Sequence, residues 1–160
     1  GKDTCTLDAP DLLEHAMILT DFSANASRAF VYASSHIAAH CANVGIMHIQ
    51  DTVALRHHSR ETIAHFNKTD AERLEKLVEH LRNRTAAPVN AHLHEGAIVP
   101  EVMRQSKMGG VSLLIMGTHG RSFYSDAVLG SNAFPLIQLA ESNCLLIPPN
   151  IPSRDTVSVS

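Results

Sequence analysis

Residues 111–132 read VSLLIMGTHGRSFYSDAVLGSN, and their interpretation decides the fold. The run 111–116, apolar except for Ser112, has the length and composition of a buried parallel strand. Gly117 and Gly120 follow at once, and Gly130 and Ser131 come after nine further residues. Residues 132–141 then carry apolar side chains at helical spacing. Glycine permits a positive φ and lets backbone approach a ligand without an intervening Cβ. Free N–H groups and the dipole at a helix start favour an anion there, and the Ser131 hydroxyl can donate to the same anion. The segment reads as a strand, a phosphate cradle and a helix. The glycines alone fit an ordinary strand-to-helix turn equally well. Neither GxxxxGK[ST] nor GxGxxG is present, and no lysine follows Lys107.

The same alternation runs upstream. Residues 15–20 (HAMILT) suit a central strand, and in the Asp21-Phe22-Ser23 turn that follows, Ser23 or Asn25 can cap a helix. Across 26–42, Ala26, Ala29, Phe30, Ala33, Ile37 and Cys41 recur at three and four, which predicts an amphipathic helix. Residues 44–49 (VGIMHI) form a second strand and 50–60 a polar, histidine-bearing loop. Ile63, Phe66, Leu74, Leu77, Val78 and Leu81 mark one face of a long helix over 61–84. Pro88 ends that pattern, and 89–94 alternates as a third strand. A short helix over 99–107 has Pro100 in its first turn, where proline is tolerated, and Gly109-Gly110 stops it. Residues 144–147 make a last strand before Pro148 and Pro149.

This βαβαβαβαβ order predicts an α/β fold: a doubly wound, Rossmann-like sheet of five parallel strands with helices on both faces. One domain is expected over 15–148, with an N-terminal arm at 1–14 and a mobile tail at 149–160. Ligands of such sheets sit beyond the carboxyl ends of the strands, where strand order reverses. The reversal falls between the first and fourth strands, whose ends are Asp21 and Gly117. The glycine turns and the reversal of strand order thus fall at one crevice.

Composition narrows the function. The chain has 160 residues, 44% apolar and 18% charged, with net charge −3 and no tryptophan. That balance argues against a nucleic-acid surface or a base-stacking platform. No apolar run approaches the roughly 20 residues that cross a bilayer, so no membrane insertion is expected. Cys5, Cys41 and Cys144 show no CxxC spacing and suggest reduced thiols in a cytoplasmic protein.

TDFS at 20–23, VGIMHI at 44–49 and G-x2-G-x9-G-S at 117–131 resemble the universal stress protein family, from His15 to Ile147. The resemblance implies a homodimer that holds ATP, or ADP or AMP, with Mg2+ or Mn2+ bound through the phosphates. By position, Asp21 of the Thr20-Asp21 pair would meet the ribose and Ile49 would flank the adenine. Met116 would lie under the nucleoside, and Gly117, Gly120, Gly130 and Ser131 would wrap the phosphates. Thr118, His119 and Arg121 would add secondary contacts, and Asn132 stands where a small apolar residue is usual after Gly-Ser. Leu19 replaces a frequent proline, Ser112 replaces an acid, and Phe134-Pro135 enters a helix that normally lacks proline. The implied role is a sensor or regulator in stress response. Alternatives are a regulatory domain for a cyclic mono- or dinucleotide, as in a transporter or kinase, and a slow ATPase.

Each candidate also has a plainer role. Asp21 suits a helix cap, Ile49 suits core packing, and His119 suits a solvated loop. Eleven histidines invite a metal reading, through His36 with His40, His57-His58, or His92 with His94. Zinc needs three or four converging ligands at defined spacing, and no such motif occurs. Asp21, His119 and Ser131 invite a triad, yet no motif supplies a catalytic lysine or a water-orienting acid. Dedicated catalysis is therefore not expected.

Overall fold

The computed structural model describes residues 9–119 and 130–150. A short helix, α1 (Ala9–Leu12), precedes strand β1 (His15–Leu19). Helix α2 (Ala24–His36) and a 3-10 turn (Ala38–His40) lead to β2 (Asn43–Asp51). Helices α3 (Thr52–Leu55) and α4 (Arg60–Arg82) lead to β3 (Val89–Gly96). Helix α5 (Ile98–Met108), β4 (Leu113–Gly117), α6 (Ala133–Leu139) and β5 (Asn143–Ile147) complete the order. All strand pairings are parallel, in the order β3-β2-β1-β4-β5. This is the five-stranded α/β sheet that the sequence predicts.

Strand alternation divides the core in two. Ile18, Ile46 and Ile115 turn to one face with Phe30 and Ala33 of α2 and Leu74, Val78 and Leu81 of α4. Met17, Met47, Leu114 and Met116 turn to the other with Val102 of α5 and Leu136 of α6. Both faces are covered, so β2 is buried without a break from Val44 to Gln50.

The helices start where side chains satisfy their free amides. Ser23 Oγ accepts from Ala26 N–H at 3.1 Å, Ser59 Oγ from Thr62 N–H at 3.2 Å, and Asp51 Oδ1 from Val53 N–H at 3.0 Å. Gly110, with φ 62, turns the chain after α5. Leu12 and Leu13 pack against the core beside α2 and β1. At the other end, the Arg28 guanidinium donates to the Pro149 carbonyl, while residues 151–160 of the predicted tail lie outside the described residues.

Three local expectations change. The helix predicted over 26–42 ends at His36, because the Ala42 and Asn43 amides are taken by the Leu13 and Glu14 carbonyls at the start of the sheet. His36 and His40 thus lie on separate elements. The polar loop expected over 50–60 contains α3, which Asp51 caps. Ser112 precedes β4; its hydroxyl accepts from His15 N–H and lies 2.9 Å from the Leu12 carbonyl, tying β1 to β4.

Leu114 is wholly buried in the middle of the sheet. Leu114→Ala is expected to lower the unfolding free energy by about 2–5 kcal/mol, read from the denaturant midpoint at unchanged m-value.

Candidate functional site

A cleft of about 910 Å3 opens beyond the carboxyl ends of β1, β2 and β4. Its floor begins with Thr20, whose amide donates to the Met47 carbonyl at 2.9 Å. Thr20 Oγ1 accepts from Phe22 N–H at 3.0 Å, and Asp21 Oδ1 accepts from Ser23 N–H at 2.9 Å. These bonds hold Phe22 at φ 59, a left-handed conformation that costs a side-chain-bearing residue about 1–3 kcal/mol. Ser23, and not Asp21, caps α2. Asp21 shapes the turn before the cap and lines the cleft.

The two glycine turns meet on the β4 side. Gly130 N–H donates to the Thr118 carbonyl at 2.6 Å, and Thr118 N–H donates to Ile147 at the end of β5. Thr118 Oγ1 and His119 Nδ1 lie 2.9 Å apart. Met116, Gly117, Thr118, His119, Gly130, Ser131 and Asn132 all line the same cleft as Thr20, Asp21 and Ile49. Gly120 and Arg121 lie outside the described residues. Asn132 precedes α6 without capping it through its side chain.

Gly117 has a structural reason as well as a positional one. A Cβ on it would stand 3.3 Å from the Asn25 carbonyl oxygen, so its missing side chain admits the first turn of α2 against β4.

The cleft is two-sided in character. Met47, Ile49, Ile98, Val102, Met116 and Leu136 give it an apolar slot. The opposite wall is polar, and this wall is absent from the predicted site. His48 Nδ1 lies 2.8 Å from the Thr20 carbonyl and its Nε2 lies 3.3 Å from Asp70 Oδ2. A carbonyl only accepts, so Nδ1 carries hydrogen. Gln50 Nε2 donates to the same Asp70 oxygen at 3.0 Å, and Arg73 lies 3.6 Å from Oδ1. The Phe22 ring packs 4.6 Å from the His48 ring, with the Arg73 guanidinium 5.3 Å from the Phe22 centroid. A signal for this wall exists in the sequence: His48 and Gln50 interrupt one apolar face of β2, and Asp70 falls between Phe66 and Leu74 on the apolar stripe of α4.

The histidine pairs separate by environment. Among the described residues, no three His, Cys, Asp or Glu side chains are grouped to hold a metal. His58 packs edge-on to Phe66, and His92 stacks on His94 with centroids 6.2 Å apart.

The model for the universal stress protein family matches residues 13–148. The chain belongs to the universal stress protein family. No curated protein sequence matches it. Among solved structures, universal stress protein UspA from Lactobacillus plantarum is 18% identical with a TM-score of 0.74, covering 84% of this chain and 97% of that one. A universal stress protein in complex with cAMP is 18% identical, TM-score 0.65, covering 86% and 98%. A universal stress protein family protein from Arabidopsis thaliana with AMP bound is 15% identical, TM-score 0.59, covering 92% and 97%. At these identities the likeness is one of fold.

The stacked pair gives this family member a pH signature. Burial holds the His92 imidazole below its ordinary value of 6.5, with repulsion from His94 and then His15 adding to the effect. The unfolded chain then binds the proton more readily, so this site costs no stability above pH 6.5 and an increasing amount as pH falls through 6.5 toward the lower folded value. His92→Asn is expected to make that acid-side decline of Tm shallower, and NMR titration to find His92 below the ordinary histidine value.

Proposed function

We propose that this universal stress protein binds an adenine nucleotide in the cleft where strand order reverses, and acts as a sensor or regulator in stress response. One observation carries the reading: the Gly130–Thr118 hydrogen bond draws the two glycine turns together at one end of the cleft. In our reading, that end receives the phosphates, with backbone amides and the Ser131 hydroxyl as donors. The apolar slot of Met47, Ile49, Val102 and Leu136 suits a base. Thr20 and Asp21 lie between the two, where a carboxylate accepts from ribose hydroxyls. ATP is the nucleotide we favour, with Mg2+ or Mn2+ held chiefly by its phosphates and its own waters. The AMP bound to the Arabidopsis thaliana protein supports the adenine assignment.

A second reading uses the same cleft. The neighbour in complex with cAMP supports a cyclic mononucleotide as the signal. We also propose that the protein works as a cytoplasmic homodimer: its free Cys41 and Cys144 suit a reducing compartment, and half-buried Leu145 and Leu146 lie on the sheet-edge strand β5.

Thermal unfolding with ATP, ADP, AMP and cAMP, each with and without Mg2+, tests the proposal. A ligand at a hundredfold excess over its Kd is expected to add about 2.7 kcal/mol. A metal-dependent shift with ATP supports the first reading, and a shift with cAMP alone supports the second. Gly130→Val is expected to abolish the shift while circular dichroism stays native, because its branched Cβ enters the phosphate space. Full retention of the shift in that variant refutes the phosphate assignment.

A further inference from the structure

The cleft continues to the α4 side of the sheet, where a mononucleotide seated in the apolar slot does not reach. Resting on the nucleotide reading above, we propose that this compartment takes the second base of a dinucleoside polyphosphate, two nucleosides joined through one phosphate chain. Phe66 and His58 supply its stacking surface.

Its walls come from the face of the sheet opposite the slot. Met47, Ile49, Val102, Met116 and Leu136 belong to the core under α5 and α6. Helix α4 packs on the other face through Leu74, Val78 and Leu81. Along α4, Phe66, Asp70 and Leu74 recur at four and share one side of the helix. Leu74 is wholly buried in the core, and Asp70 meets His48 and Gln50 of β2. Phe66 lies one turn nearer the start of α4 and lines the cleft with Leu55, His58, His65 and Thr69.

The core does not absorb this ring. Phe66 is half-buried, and neither buried cluster includes it or Leu55. Its ring contacts are histidines, with His58 edge-on at 5.6 Å and His65 at 6.4 Å, and both histidines are exposed. An edge-to-face pair whose two rings line a cavity gives a flat heterocycle a surface to stack on. At about 910 Å3 the cleft also stands near the top of the roughly 300–1,000 Å3 range of small-molecule sites. That is room for more than one ring system.

The phosphate end supplies the link. In the nucleotide reading, the joined glycine turns hold the phosphates at β4. β1 separates β4 from β2, so the distance to cross is about 10 Å, two strand spacings. A nucleoside monophosphate spans it. One nucleoside thus runs to the slot on the α5 side, and the other runs to Phe66 on the α4 side.

Isothermal titration calorimetry on the full chain, at fixed Mg2+, compares diadenosine tetraphosphate with adenosine tetraphosphate. The two share a phosphate chain, and only the first carries a second nucleoside. The wild type is expected to bind diadenosine tetraphosphate about tenfold more tightly, the worth of one stacked base. Phe66→Ala is expected to bring the ratio close to that of a symmetric ligand's two equivalent ends, about twofold, with adenosine tetraphosphate affinity and circular dichroism unchanged. His58→Ala, at an exposed position that folding tolerates, is expected to lower the ratio about threefold. A wild-type ratio of about twofold or less overturns the proposal, as does a tenfold ratio that survives both variants. Equal loss of both ligands in Phe66→Ala overturns it too, because the ring then serves the first site or the fold. If the wild type binds neither compound nor ATP, the nucleotide reading itself fails, a result distinct from binding both without preference.

Discussion

The cleft exists because two neighbouring parallel strands send their chains to opposite faces of one sheet. After β1 the backbone turns to α2, which packs with Phe30 and Ala33 on one side. After β4 it runs on to α6, which packs with Ala133 and Leu136 on the other. The described residues leave a cleft over the carboxyl ends of this pair, as expected where strand order reverses. Everything proposed for the site follows from that reversal. The sheet keeps it in place, since β1 and β4 are central strands paired on both sides.

Holding the cleft open requires close backbone approach around it. Gly117 serves that need by admitting the Asn25 carbonyl at the start of α2. Phe22 bears the conformational cost of the turn after β1, offset by its contacts with His48 and Arg73. The Gly130–Thr118 bond then brings a distant stretch of chain to the same rim. Gly117 therefore answers to packing as well as to any ligand. This is why glycine spacing alone did not distinguish a cradle from a turn.

The polar wall obeys a different rule. His48, Gln50 and Asp70 are each less than a tenth exposed, and each would be costly to bury alone. Asp70 accepts from Gln50 and lies 3.3 Å from His48 Nε2, and Thr20 joins the network through its carbonyl, while Gln50 Oε1 has no partner among the described residues. Removing one member of such a set is worse than replacing the set, because the others lose their partners. The network thus couples the end of β1 to α4, and it makes one side of the cleft a hydrogen-bonding surface while Met47 and Ile49 keep the other apolar.

The order of strands and helices was legible in the sequence, because hydrophobic period and turn residues are local. HAMILT, VGIMHI and the run before Gly117 are short apolar segments closed by breakers, and each became a parallel strand. The position of the crevice was also legible, since strand alternation and crossover rules place the reversal at Asp21 and Gly117. Other features needed the folded chain. The helix after Ser23 stopped at His36 because the Ala42 and Asn43 amides bond to the Leu13 and Glu14 carbonyls just before β1. Asp70 looked like one acid on a long helix until packing set it against His48 and Gln50 from β2. The helical period was visible along the chain, but which strand that helix would cover is a matter of three-dimensional packing. Pairing between residues twenty positions apart is decided where the elements meet, and no local pattern encodes it.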